Sequence, residues 1–453
     1  MNRNQEYEAL LQEMEATPAA LDGTAERALR RRRRERRLRI FGVPAGSLAA
    51  CFAAFVLLVN LFPPFARACG NVPLLRALAQ AVAWSPSLSA AVANDYVQPI
   101  GQSQTVNGIT ATIEYVIVDQ KQVHIFFTLK GEGYESLSAE LPEFTPWQRC
   151  SVLEGDFLQP PGTLLRFTLD YQDNDVPEGF TMTLGVTGET AGEAESQPPA
   201  ASSVWDALEK DTAPPDNSIL ATFTFDLKFD PTYTASGEII PVNSAFQLDG
   251  QTLTVTEAEV YPTHVRVNVE GAAANTAWLK SLDFYLENED GERFEPISNG
   301  VTASGDPDTP AMNSFRLESP YFADSAHLTL HITGATWLDK DMERIRVDLK
   351  SGTADQMPEG VELYSAERSG DGWRIEFRAR NREENHFHQL FYSTYYAPDG
   401  TEYDQQATSV TAPEDGYFYR QMVLRDYPWD EVWLCPAYSR TTTAETPVII
   451  PIK

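Results

Sequence analysis

The residues with the most chemical reach are six histidines: His124, His264, His327, His331, His386 and His388. His386 and His388 are two apart, so an extended strand would present both imidazoles on one face. Glu383 and Glu384 lie close by, and two neutral imidazoles beside a carboxylate begin a metal site. No third ligand stands at a fixed spacing, so the pair alone does not make a site and no metal is expected. His327 and His331 also share a strand face and read as surface or satisfied polar residues. Asp306-Pro307-Asp308 lacks the spacing of a calcium loop and reads as a turn. Cys51, Cys69, Cys150 and Cys435 form neither a CxxC nor a Cys/His cluster, and whether Cys150 and Cys435 pair stays open. GxSxG, Walker-type and HExxH patterns are absent, as is a GxGxxG placed between strand and helix. The chain is therefore expected to be no enzyme and to need no cofactor. The aromatic stretch Phe391, Tyr392, Tyr395, Tyr396 and Tyr403 reads as alternating core and cross-strand pairs rather than a binding face.

The other candidate chemistry is recognition. Tyr7, Leu10, Leu11 and Met14 stand at i, i+3, i+4 and i+7, one stripe of a helix. A stripe this short does not fold alone. It fits either a groove on a partner protein or the surface of a membrane. Thr17-Pro18 is expected to end it, with a second short helix expected over residues 22–29. Then come Arg30, Arg31, Arg32, Arg33, Arg34, Arg36, Arg37 and Arg39, interrupted by Glu35 and Leu38.

Residues 40–62 carry no charge and include the run Phe52-Ala53-Ala54-Phe55-Val56-Leu57-Leu58-Val59. About 20 apolar residues cross a bilayer as a helix. Arginines concentrated before the span place the N-terminus in the cytoplasm and the rest outside the cell. The arginine run reads as this topology signal, gripping anionic lipid. The rival reading is a cleaved signal peptide ending near Ala66-Arg67-Ala68, but the apolar run is long for one. The expected location is the cell membrane, single-pass, with the C-terminal region extracellular. Residues 1–39 hold ten Arg against seven acids, while the remainder holds 25 basic and 58 acidic residues, within a total net charge of −30. So acidic an exterior repels nucleic acid, and none is expected as a partner.

The elements beyond the span change period. Leu74, Leu75, Leu78 and Val82 recur at helical spacing, and Ser85-Pro86 supplies a cap and a first-turn proline for a second helix. From Tyr96 the period becomes 2. Residues 109–117 and 122–129 alternate around a polar Asp119-Gln120-Lys121 turn, and further strands follow at 164–169, 180–186 and 221–229. Later strands are expected at 251–255, 265–269, 282–286 and 328–332, then at 373–377, 390–396, 417–424 and 432–435. Asp290-Gly291 and Asp399-Gly400 each close a hairpin, so the later modules look like variants of one plan. The fold class is mainly β: a single transmembrane helix followed by tandem immunoglobulin-like β-sandwich modules, with a short helical cytoplasmic tail. The expected division is a tail at 1–39, the span at 40–62 and juxtamembrane helices at 63–95. A first β domain then covers 96–235 with a mobile loop at 188–217, a second covers 236–350 and a third 351–453.

Several stretches resemble a known family. Asn94-Asp95-Tyr96-Val97-Gln98, Gln102-Ser103-Gln104-Thr105, Asn107-Gly108-Ile109-Thr110 and Ile125-Phe126-Phe127-Thr128-Leu129 are similar to domain-of-unknown-function family 4179. Tyr7-Glu8-Ala9-Leu10-Leu11 with the apolar span fits that family's layout. Ile240-Pro241-Val242-Asn243, Phe246, Leu248-Asp249-Gly250 and Tyr261-Pro262-Thr263 resemble the immunoglobulin-like domain that often follows it. The resemblance covers roughly residues 1–350. It implies a bacterial membrane protein, anti-sigma-like, with an extracytoplasmic-function sigma factor as partner of the tail, and it transfers no catalytic residue. The tail lacks His and Cys, which excludes a zinc-type anti-sigma module. The ligand of the outer modules is unknown from sequence. The alternative function is a structural or adhesive cell-surface protein in which the tail serves topology alone.

Overall fold

The computed structural model describes residues 73–155, 159–190, 219–298, 300–305, 309–380, 389–404, 408–411 and 416–453. The tail, the arginine run and the apolar segment 40–62 lie outside the described residues, as do residues 191–218, Asp306, Asp308, His386 and His388. Among the described residues no helix is long and apolar enough to cross a membrane. The helix pair comprises α1 (Pro73–Ala81) and α2 (Pro86–Ala93). Ser85 caps α2, its hydroxyl accepting from the Leu88 N–H, and Pro86 takes the first position, where a missing donor costs nothing. Leu78, Val82, Leu88 and Ala91 are buried.

The first sandwich runs from β1 to β9. One sheet orders β1 (Gln98–Val106), β2 (Ile109–Val118), β3 (Gln122–Gly131), β7 (Leu164–Tyr171) and β6 (Cys150–Gly155). The other pairs β8 (Gly179–Thr190) with β4 (Tyr134–Ala139), β5 (Glu143–Thr145) and β9 (Ala221–Lys228). Alternate residues of both sheets, among them Ile113, Phe127, Phe167, Met182 and Phe225, fill one core. β8 runs on to Thr190, so residues 188–190, expected in a loop, continue the strand by pairing with β4. The remaining loop expectation falls outside the described residues. Edges β1 and β9 are joined through side chains: Gln98, Gln102, Gln104 and Asn107 donate to the carbonyls of Lys228, Asp226, Thr224 and Leu220. Outward-facing carbonyls along the β9 edge are thereby satisfied without another strand.

The second sandwich repeats this plan. One sheet orders β10 (Glu238–Leu248), β11 (Gln251–Val260), β12 (Val265–Gly271), β16 (Met312–Leu317) and β15 (Ala303–Gly305). The register slips between Pro99 and Gln102 in β1 and between Pro241 and Ser244 in β10. Asn107-Gly108 and Asp249-Gly250, all at positive φ, close the two hairpins, the conformation that Asn-Gly and Asp-Gly pairs favour. The facing sheet orders β14 (Arg293–Phe294), β13 (Ala277–Asn288), β17 (Leu328–Asp339) and β27 (Arg440–Pro451).

That last strand corrects the expected third domain at 351–453. β27 pairs with β17 from Trp337↔Arg440 to Thr329↔Pro451, and Ile450 and Ile452 enter the second core. The third sandwich also starts earlier, since Ile345, Val347 and Leu349 pack in its core. It orders β19 (Thr353–Ala354), β18 (Ile345–Asp348), β26 (Glu431–Pro436), β22 (Phe391–Tyr396) and β23 (Glu402–Asp404) against β20 (Val361–Ser369), β21 (Gly372–Arg380), β25 (Tyr417–Leu424) and β24 (Thr408–Thr411). The third module is thus inserted between the last two strands of the second. β9 stands to β8 as β27 stands to β17, so the insertion occupies the connection that residues 191–218 make in the first module. Thr441-Thr442-Thr443 carries little apolar signal; β27 is decided by the open edge of β17.

Candidate functional site

The largest concentration of buried charge among the described residues lies where the first sandwich, the second sandwich and α2 meet. Asp170, the penultimate residue of β7, has a fully buried side chain. Its carboxylate accepts from Arg316 Nε at 3.2 Å and Nη2 at 2.9 Å, from Arg266 Nη2 at 3.2 Å and from Gln122 Nε2 at 2.7 Å. Arg266 on β12 and Arg316 on β16 are directly opposite in register, which aims both guanidiniums at one carboxylate from the partner module. Burial alone would push the Asp170 carboxyl up. The Arg316 and Arg266 charges outweigh it and hold the group well below the usual carboxylate range.

A second carboxylate, Asp119, sits in the turn between β2 and β3 and is equally buried. One oxygen accepts from the backbone N–H groups of Lys121 and Gln122, each at 2.8 Å. The other accepts from Thr263 N at 3.1 Å and Thr263 Oγ1 at 2.6 Å across the junction. Burial again pushes upward; His264, whose Nδ1 lies 3.6 Å away, and then the Thr263 and Lys121 donors outweigh it, so the carboxyl stays ionised. His264 extends the chain: Nδ1 lies 2.9 Å from Thr263 Oγ1, and Nε2 accepts from Arg266 Nε at 3.0 Å. A guanidinium only donates, so His264 Nε2 carries a lone pair and the proton sits on Nδ1. Burial lowers the His264 pKa, in keeping with a neutral ring. His124, pushed down to about 3 by burial and then by Arg166, is likewise neutral and bonds Thr168 and Gln122.

Asp119, Thr263 and His264 superficially match a nucleophile, base and orienter. The chemistry does not follow. The Thr263 hydroxyl is buried and directed at a carboxylate, the imidazole nitrogen facing it, Nδ1, already carries the proton, and Nε2 is occupied by an arginine. The arrangement can hold two modules in one orientation. A polar cleft of about 220 Å³ opens beside it, lined by Arg149, Gln172, Asp173 and Asn313 among others. Much of its wall is self-satisfied: Asn268 donates to Glu257 and Glu259, and Ser314 donates to Asn268.

The helix pair is tied into the same place. Trp84 lies under the Arg166 guanidinium at 4.3 Å. Tyr96 donates to the Val118 carbonyl and accepts from Ala235 N, linking the helix exit to the intermodule connection. Gly237 in that connection is required, because a Cβ there would lie 2.2 Å from the Tyr261 ring. Glu318, directly after β16, accepts at Oε2 from Ser85 Oγ, Ser87 N and Ser87 Oγ.

The residues expected to act in recognition, Tyr7, Leu10, Leu11 and Met14, and the topology arginines from Arg30 to Arg39, lie outside the described residues. So do His386 and His388. His331 stacks on Tyr285 at 4.7 Å, and among the described residues no group of three or more His, Cys, Asp or Glu is placed to hold a metal. Tyr395, Tyr403 and Tyr427 pack on one another at 5.3–5.6 Å, as core and cross-strand pairs do. The junction residues Asp119, Asp170, Arg266, Arg316 and Glu318 escape sequence reasoning. Their signal is faint: single charges set in apolar strand runs, as in Val265-Arg266-Val267 and Phe315-Arg316-Leu317.

Fold and junction together define a tandem β-sandwich protein whose first two modules and helix pair are joined by a buried polar cluster. Residues 36–131 match the family model described as Domain of unknown function (DUF4179), and residues 237–362 match Family of unknown function (DUF5643). The resemblance read from the sequence thus holds over these segments. No curated protein matches the chain. Among solved structures, a conserved domain protein from Bacillus anthracis is similar at 13% identity and a TM-score of 0.38, covering 57% of this chain and 84% of its own. A Listeria monocytogenes cycloalternan-forming enzyme with a pentasaccharide substrate is similar at 6% identity and a TM-score of 0.11, covering 70% of this chain and 29% of its own. Likenesses this distant assign no activity.

Proposed function

We propose that the chain is a single-pass bacterial membrane regulator. Its outer sandwiches sense envelope state or an extracytoplasmic ligand, and its cytoplasmic tail holds or releases an extracytoplasmic-function sigma factor. The observation that carries this reading is the reach of the family match at 36–131. One unit of relatedness runs from the arginine run through the apolar segment and helix pair into the first hairpin. Such a unit suits a part that works across a bilayer. The buried junction supports the same reading, because a rigid body attached to the helix pair can pass movement to a span. In this reading the chain is no enzyme, takes no cofactor and binds no nucleic acid; its partners are the bilayer, the sigma factor and the outer ligand. Tyr7, Leu10, Leu11 and Met14 form the tail's contact stripe, and Arg30 to Arg39 fix topology.

The test is capture of a sigma factor by the full-length protein, with loss of capture on Leu10→Asp. A tail that captures no sigma factor sinks the mechanism. The self-satisfied cleft wall favours a second reading, a structural or adhesive surface protein. Replacing residues 1–29 with unrelated sequence would then leave the phenotype intact.

A further inference from the structure

We propose that Glu318 is a pH-gated latch between α2 and the second sandwich, gripping more tightly as its surroundings acidify. The geometry is that of a clasp. Glu318 Oε2 accepts from Ser85 Oγ at 3.0 Å, Ser87 N at 2.8 Å and Ser87 Oγ at 2.5 Å. Ser87 Oγ in turn accepts from Ser319 N at 2.6 Å, and Glu318 N donates to the Glu295 carbonyl. Glu318 is 4% exposed, so the first turn of α2 docks on a nearly dry carboxyl.

What sets Glu318 apart is its company. The junction carboxylates Asp119 and Asp170 are surrounded by donors and cations that keep them ionised into strong acid. Arg266 and Arg316 are committed to Asp170, and Arg166 stacks on Trp84. Of the other titratable groups around the clasp, Glu295, Tyr261 and Tyr96 are all pushed up by burial, while His264 is kept neutral. Hydroxyl and amide donors answer the Glu318 charge in place of a cation. Burial therefore pushes its carboxyl up, and the Ser87 and Ser85 bonds offset this only in part. Protonation removes the buried charge, and serine hydroxyls can rotate to accept as well as donate.

The sign follows from linkage. A carboxyl raised on docking binds its proton more tightly docked than free. The stabilisation is fully present below the ordinary glutamate value and is lost as pH rises through the raised one. The latch belongs to the outer region and stands whether or not the tail binds a sigma factor.

The experiment is hydrogen exchange read by mass spectrometry on the full chain in detergent micelles, from about pH 5 to about pH 8, corrected for intrinsic exchange. Protection of the segment 86–93 should fall with rising pH, by at most about tenfold per pH unit for one proton. Glu318→Gln should keep acid-side protection at both ends. Ser87→Ala, which removes a donor to the anion, should move the midpoint to higher pH and serves if Glu318→Gln fails to fold. Protection independent of pH in the natural protein, an unaltered pH dependence in Glu318→Gln, or an unmoved midpoint in Ser87→Ala overturns the proposal.

Discussion

The first and second sandwiches are joined by one crossing of the chain and a buried ionic cluster. The second and third are joined by two crossings, at 340–344 and 437–439, and lighter contacts. At the second junction Glu359 N donates to the Ser439 carbonyl, Thr441 N donates to the Glu359 side chain, and Lys280 faces the Tyr392 ring at 5.4 Å. Arg440, which opens β27, pairs with Asp339 and Asp249 within the second module, all three partly exposed. The difference teaches how orientation is fixed. Two covalent crossings already limit how an inserted module can turn. A single crossing leaves rotation free, and side chains must remove it. The first junction is therefore written in residues that point mutation can erase, the second in topology.

Three experiments sharpen or break this contrast, the largest effect first. Ending the chain after Pro436 removes β27 and should unfold the second sandwich while the third retains its strands. Loss of buried Ile450 and Ile452 alone costs about 3–6 kcal/mol, before the ladder with β17 is counted. Calorimetry should show the second module's transition vanish; an unchanged thermogram would mean the strand is dispensable and the insertion incidental.

Asp170→Ala comes next. It strands Arg266 and Arg316 against each other and should destabilise the first junction by about 3–5 kcal/mol, read by urea unfolding. It should also change the acid limb. Asp170 and Asp119 have folded values below their unfolded ones, so their stabilisation is present above the ordinary aspartate value and disappears as pH falls through the lowered values. The natural protein should lose stability in acid, and Asp170→Ala should lose less. A cost under about 1 kcal/mol with the same acid limb would show the cluster to be unimportant for joining the modules.

The smallest effect is expected at the second junction. Glu359→Ala removes an exposed acceptor and should cost about 1 kcal/mol or less in the same assay. A cost comparable to that of Asp170→Ala would reverse the comparison.

The sequence by itself determined the local pattern. Period 2 placed β2, β3, β9 and about half of the strands in all, two Asp-Gly pairs placed hairpins, and Ser85-Pro86 placed the start of α2, because these depend on neighbours a few residues apart. The repeated plan was legible in the Asp290-Gly291 and Asp399-Gly400 hairpins, which close β13 to β14 and β22 to β23. Tertiary structure alone decided the rest. Asp119 reads as an ordinary polar turn until Thr263, 144 residues away, covers it. β27 reads as an appendix to the third module until the open edge of β17 captures it. Burial and edge pairing are long-range quantities: the same charged or threonine-rich residues are solvated or enclosed according to what the fold sets against them.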